Sequence, residues 1–105
     1  MSMHFFVRFE PRPGKESEFR EEMLRVIQTT RTEPGCMSIH AFKSVREPLA
    51  FAVNSEWVDE AAFERHAQLP HTLKFLEAEE RLLTHPVKGL RTQWIGGGVG
   101  AGAKL

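Results

Sequence analysis

The run Leu49-Ala50-Phe51-Ala52-Val53-Asn54-Ser55-Glu56-Trp57 alternates large apolar side chains with small or polar ones. A period of two places Leu49, Phe51, Val53, Ser55 and Trp57 on one face of a strand and Ala50, Ala52, Asn54 and Glu56 on the other. Such a segment must lay its first face on a core. Its second face is small and partly apolar, so it needs lighter cover. A partner stands just upstream: Cys36 to Val45 is a second extended run, and the short break Arg46-Glu47-Pro48 suits an antiparallel hairpin whose outer run extends from Leu49 to Val58.

The remaining segments fall around this hairpin. Met3 to Glu10 is rich in aromatic and β-branched residues and stops at Pro11-Arg12-Pro13-Gly14, which predicts a first strand. From Lys15 to Arg31, the residues Phe19, Met23, Val26, Ile27 and Thr30 recur as one helical stripe, with Glu16, Glu18, Glu21 and Glu22 early and Arg25 and Arg31 late, as the helix dipole favours. Pro34 forces the preceding residue out of the helical region, so this helix ends near Glu33, and Gly35 permits the turn. Asp59 is an N-cap for a helix from Glu60 through His66. Pro70 can open a second helical segment, from about His71 to Leu83 with Leu73, Leu76 and Leu83 inward, which His85-Pro86 ends. Val87 to Ile95 is a last, weaker strand interrupted by Gly89.

The order β-α-β-β-α-β predicts an α+β, ferredoxin-like fold: a four-stranded antiparallel sheet with its helices on one face. Residues 1–95 form this single domain, and 96–105, with five glycines in ten residues, read as a flexible tail. The uncovered face carries Phe6, Ala50 and Ala52 among His4, Arg8, Asn54 and Glu56, and burial against the same face of a second copy is the economical solution.

Charge and composition narrow the function. Lys and Arg number 14, as do Asp and Glu, so the formal net charge is zero and no basic stripe suggests nucleic acid as a partner. The apolar runs are far shorter than the ~20 residues that span a bilayer, so no membrane partner is expected. The chain enters an apolar strand at Met3 without a basic start or cleavage site, so no secretory leader is expected. Cys36 is the single cysteine, which excludes an internal disulfide and makes a reducing cytoplasm the simplest location.

Five short pieces in order are Pro13-Gly14-Lys15 followed by Phe19, Pro34-Gly35-Cys36, Glu56-Trp57, Ala61-Ala62-Phe63-Glu64-Arg65-His66, and Pro70-His71. Together they make the chain, from Met3 to Trp94, resemble the antibiotic biosynthesis monooxygenase family. The resemblance implies a dimeric α+β barrel in which each subunit keeps an apolar pocket between sheet and helices. It implies one of several activities: oxygenation of phenols or quinols without metal or flavin, haem degradation, or isomerisation of small metabolites. In the haem-degrading branch a strand-one Asn, a helix-two Trp and a haem-ligating His fall at Val7, His66 and Leu76 of this chain. None of the three residues matches, and without an imidazole at Leu76 the iron lacks its protein ligand.

A cofactor-independent oxygenase needs a base, a dry pocket and a substrate that supplies its own electrons. Histidine is the base suited to neutral pH. His66 and His71 flank the break at Pro70 and are the expected catalytic pair, although each also has a plain reading: His66 as a cation at a helix C-terminus, His71 as a packed or solvated ring. His40 lies on a strand whose register the pattern leaves open, facing either the pocket or the partner copy. With Phe51, Trp57, Phe63 and Phe75 it makes up the expected substrate-binding set, although aromatic residues at such spacings also serve as ordinary core. No metal is expected, because His66 and His71 are five apart with Pro70 between them and no carboxylate motif accompanies them. Cys36 reads as an inert thiol. The expected function is oxygenation of a small aromatic or quinol-like ligand by a homodimer with no cofactor. The alternatives are an isomerase or lyase using the same pocket, or a dimer that binds a ligand without turnover.

Overall fold

The computed structural model describes residues 2–103. Its elements are β1 (Met3–Phe9), α1 (Glu16–Thr30), β2 (Cys36–Lys43), β3 (Phe51–Trp57), α2 (Glu60–His66), α3 (Pro70–Leu82) and β4 (Leu90–Thr92), followed by a 3-10 turn at Ala101–Ala103. The strands form one sheet in the order β2-β3-β1-β4, and every neighbouring pair is antiparallel. This is the α+β ferredoxin-like arrangement that the order of elements predicts.

The alternation in β3 is realised as expected, with Phe51, Val53, Ser55 and Trp57 all buried. Trp57 places its large ring in the interior and satisfies its one donor by giving the indole N–H to Ser55 Oγ at 3.0 Å. Helix α1 lays Phe19, Met23 and Ile27 onto this face, and α3 adds Ala78 and Leu82. A second cluster of Met3, Trp57, Ala62 and Phe63 seats α2 at the other end of the sheet. Both clusters lie on the same side, so the opposite face is open. It shows Phe6 at 48% exposure and Phe42 at 57%. Ala50, expected there, is instead buried, because Ser44 bonds both of its backbone groups and folds the β2–β3 turn against it.

Two expectations need correction. Leu73 and Leu76 are not buried, being 50% and 45% exposed, although Leu76 borders the interior cavity, whereas Leu83 is buried as expected. Helix α3 begins one residue early, at Pro70, and turns Thr72, Ala78 and Leu82 inward. The last strand is also much shorter than Val87 to Ile95, because its pairing with β1 is confined to Leu90–Thr92. Just upstream, the Phe5 ring fills the space at Gly89, where a Cβ would stand 2.0 Å from Phe5 Cζ. Just downstream, Trp94 and Ile95 are largely exposed.

The turn between α1 and β2 fixes the position of α2. Backbone N–H groups of Thr32 and Glu33 donate to Thr29 and Thr30 oxygens at 3.0 Å, after which Pro34 stops the helix. Gly35 then adopts φ +94°, and a Cβ there would come within 2.7 Å of Ala62 Cβ. Only glycine combines that backbone with so close an approach. The Val58 N–H donates to Gly35 O at 2.9 Å, and Asp59 caps α2 by accepting from the Ala62 N–H at 2.8 Å. The C-terminal turn of α1 and the whole of α2 are thereby held together.

Candidate functional site

Three short-range decisions bring three side chains to one point. The Pro34 stop leaves Glu33 in the turn after α1, the Asp59 cap sets the phase in which His66 ends α2, and Pro70 starts α3 so that His71 falls in its first turn. Glu33 Oε2 lies 2.8 Å from His66 Nδ1 and 2.6 Å from His71 Nε2. The carboxylate is buried, with 8% of its side chain exposed, and both imidazoles are mostly covered. An ionised carboxylate only accepts, so Nδ1–H of His66 and Nε2–H of His71 each donate to the same oxygen. Thr72 Oγ1, at 3.2 Å from His66 Nδ1, is a second acceptor for that proton. With its proton held on Nδ1, a neutral His66 presents Nε2 as an unprotonated lone pair. Trp57 and Phe63 clamp the ring, with centroids 4.8 and 5.7 Å away.

His66 also forms part of the wall of an apolar cavity of about 190 Å³ between sheet and helices. Phe5 and Val7 of β1 and Val53, Ser55 and Trp57 of β3 line the sheet side, Met23 and Ile27 of α1 one flank, and Phe75, Leu76 and Glu79 of α3 the other. Phe63 contributes from α2. Among the described residues, only two titratable groups reach this wall, His66 and Glu79. Burial pushes the Glu79 carboxyl up to about 7, and among the described residues its side chain has no hydrogen-bond or ion-pair partner.

The expected site residues separate into three groups. His66, Trp57, Phe63 and Phe75 meet at the cavity. His71 joins His66 through Glu33 but opens onto a neighbouring surface groove with Arg25 and Lys74. Phe51 packs in the core against Phe19, and His40 is exposed. Opposite Asn54, which in turn faces Phe6, His40 lies on the open face. The pairing register, which the sequence pattern left free, puts it there. Cys36 is half-buried, and burial, reinforced by the nearby charge of Glu33, raises its thiol pKa, which disfavours a thiolate nucleophile.

Sequence reasoning found neither Glu33 nor Glu79. Glu79 was within reach: it lies on the helical stripe of Thr72, Phe75 and Leu82, where a carboxyl interrupts apolar positions. Glu33 gave no local signal, because its partners are 33 and 38 residues away. Its presence also corrects the expectation that no carboxylate accompanies the two histidines. Glu33, His66 and His71 bring three ligand atoms within 4.8 Å of one another, a donor set a divalent transition metal can use once both bridging protons are released.

The sequence profile of the antibiotic biosynthesis monooxygenase family matches residues 3–78. The chain belongs to that family. An isomerase of (4S)-4-hydroxy-5-phosphonooxypentane-2,3-dione from Yersinia enterocolitica is 31% identical over 90 residues, 86% of this chain and 92% of that protein. Rv0793 of Mycobacterium tuberculosis is 31% identical over 80 residues, 76% of this chain and 78% of its own length. Its structure superposes with a TM-score of 0.86, covering 94% of this chain and 100% of that one at 25% identity. The chain spans about half of another relative, the Synechocystis protein sll1783, matching 52% of it and 73% of itself at 31% identity. SnoaB, a cofactor-independent oxygenase from Streptomyces nogalater, shares the fold at a TM-score of 0.81 and 20% identity, over 91% of this chain and 95% of SnoaB.

The raised Glu79 carboxyl makes a prediction about stability. Its neutral form is favoured in the folded state, so its contribution is intact below the ordinary carboxylate pKa and is lost as pH rises from about 4.5 through about 7. Glu79→Gln, which stays neutral throughout, is expected to match the parent Tm at pH 4 and exceed it at pH 8. Equal Tm values at both pH values would show that the carboxyl is solvated in the folded protein.

Proposed function

We propose that this family member is a cofactor-independent oxygenase in which His66 removes a proton from a small, uncharged aromatic or quinol-type substrate held in the cavity. The observation that carries the reading is the pairing of His66 with Glu33 at the edge of an apolar chamber. Nδ1 is tied to a buried carboxylate, so Nε2 is the nitrogen left to meet a ligand. The carboxylate fixes the ring's tautomer and offsets the positive charge that develops as the ring accepts a proton. The position of His66 in the last turn of α2 favours the same cation, whereas His71, in the first turn of α3, faces the positive end of its helix. His71 is therefore assigned a positioning role through Glu33, and His66 the role of base.

Deprotonation converts a quinol into an electron-rich anion that reacts with dioxygen directly. One oxygen atom enters the ring, whose product is a hydroxyquinone, and the other leaves as water, with every electron supplied by the substrate. The apolar wall keeps water from the anion, and Trp57, Phe63 and Phe75 orient a flat ring.

The relative that isomerises a phosphorylated dione favours a second reading, in which the same base moves a proton within a metabolite. Two titratable groups on one cavity suit that chemistry as well. A phosphate, however, needs cationic partners, and neither Lys nor Arg lines this wall among the described residues. The wall therefore favours the uncharged substrate.

Oxygen uptake by chelator-treated protein with a panel of quinols tests the reading. Uptake above the uncatalysed background is expected, with kcat reduced about 100-fold or more in His66→Ala. No uptake with any quinol, full activity in His66→Ala, or uptake only after a divalent metal is restored would each overturn it. Turnover that continues without oxygen would point to the isomerase.

The open sheet face supports a homodimer, proposed here to form in a reducing compartment such as the cytoplasm. Phe6, Phe42 and Leu90 expose apolar area there without a net charge on the chain to oppose association. Light scattering is expected to give twice the 12.0 kDa chain mass, and Phe42→Glu to give the single-chain mass. A parent protein that is monomeric at tens of micromolar would contradict the dimer.

A further inference from the structure

Glu79 has no part in the reaction described above, yet among the described residues it is the one carboxyl on the cavity wall. It lies on α3 seven residues after Thr72, whose hydroxyl touches His66 Nδ1. Seven residues of helix are about two turns, or about 10 Å along the axis. The two titratable groups of the wall are thus separated by about two turns of α3, with Phe75 and Leu76 lining the wall along that stretch. The Glu79 side chain is partly covered, and its carboxyl oxygens are not sealed from solvent. Among the described residues it has no hydrogen-bond or ion-pair partner, which leaves it available to a ligand in the cavity.

We propose that Glu79 is a substrate-binding residue that selects flat ligands carrying a hydrogen-bond donor at each end, one donor meeting His66 and the other meeting the Glu79 carboxyl. The assignment deepens the proposed function and rests on its reading of the cavity as the substrate site. Size limits the ligand further. A cavity of about 150 Å³ holds one benzene ring, so about 190 Å³ suits a molecule of one or two fused rings. The ligand is uncharged or carries its charge only after His66 acts, since among the described residues neither Lys nor Arg lines the wall and a second anion would meet the carboxyl. A Glu79 carboxyl pushed up to about 7 retains a proton in part of the population near neutrality, so it can donate as well as accept. A ligand with a donor at only one end leaves this carboxyl unmet, and sites built to pair a polar group discriminate against analogues that lack it.

Equilibrium binding measured calorimetrically under nitrogen tests the inference without requiring turnover. The probes are two matched pairs, hydroquinone with phenol and 2,6-dihydroxynaphthalene with 2-naphthol, each pair differing by one hydroxyl. In the parent protein the dihydroxy member of at least one pair is expected to bind about tenfold more tightly. In Glu79→Leu that ratio is expected to fall to about one while the affinity for the monohydroxy member is kept or improved. Glu79→Gln, which retains a polar end, is expected to keep most of the preference. Glu79→Met serves as a second apolar variant should Glu79→Leu fail to fold. Equal binding within both pairs by the parent protein, or an unchanged ratio in the apolar variants, would overturn the role of Glu79 and leave His66 as base untouched. Absence of binding by all four probes would overturn this inference together with the reading of the cavity.

Discussion

One carboxylate oxygen of Glu33 accepts from two imidazoles, and through it the turn after α1 is joined to the end of α2 and the start of α3. A buried carboxylate is costly unless its charge is met by strong donors, and the two ring N–H groups meet it here. Removing either donor leaves part of that charge uncompensated, so the three residues act as a unit. The same contact fixes which His66 nitrogen carries the proton. Structure and chemistry depend on it together: the bond that closes the helical layer over the sheet also leaves a lone pair on the ring that borders the cavity.

The cavity exists because the helices that cover the sheet do not meet its surface evenly. Helices α1 and α3 converge over Phe9, Phe51 and Val53, where Phe19 and Leu82 fill the interior. α2, anchored by Gly35 against Ala62 and by the Asp59 cap, packs Phe63 over Trp57 instead. Between the two clusters the rings of Phe5, Trp57, Phe63 and Phe75 border open space. Rigid aromatic walls keep such a space open at little entropic cost, and they present to a flat ligand surfaces on which it can stack. An apolar chamber with two titratable groups is an environment in which a proton can be moved while water is excluded.

Much of this architecture is legible in the sequence, and what is not has a common cause. The alternation in Phe51–Trp57, the stripe from Phe19 to Thr30, the Asp59 cap and the start at Pro70 each depend on neighbours within a few residues, and each is realised. Leu73 and Leu76 are half-exposed rather than buried, because the phase set by Pro70 turns Thr72, Ala78 and Leu82 to the core. The last strand is confined to Leu90–Thr92 although β1 runs on to Phe9, a limit set in tertiary structure that no local pattern records. The candidate site divides in the same way. The histidines flanking the helix break were visible as a pair, but Glu33 joins them only through tertiary structure. The face taken by His40 depends on a pairing register that β2, apolar on both sides, does not specify.

The most direct measurement is the tautomer of His66, read by long-range proton–nitrogen NMR at a pH where the ring is neutral. The Glu33–His66 contact predicts a proton on Nδ1, a bare Nε2, and loss of that preference in Glu33→Ala. A proton found on Nε2 in the parent protein would contradict it, because the nitrogen that meets the cavity would then have no lone pair with which to act as a base.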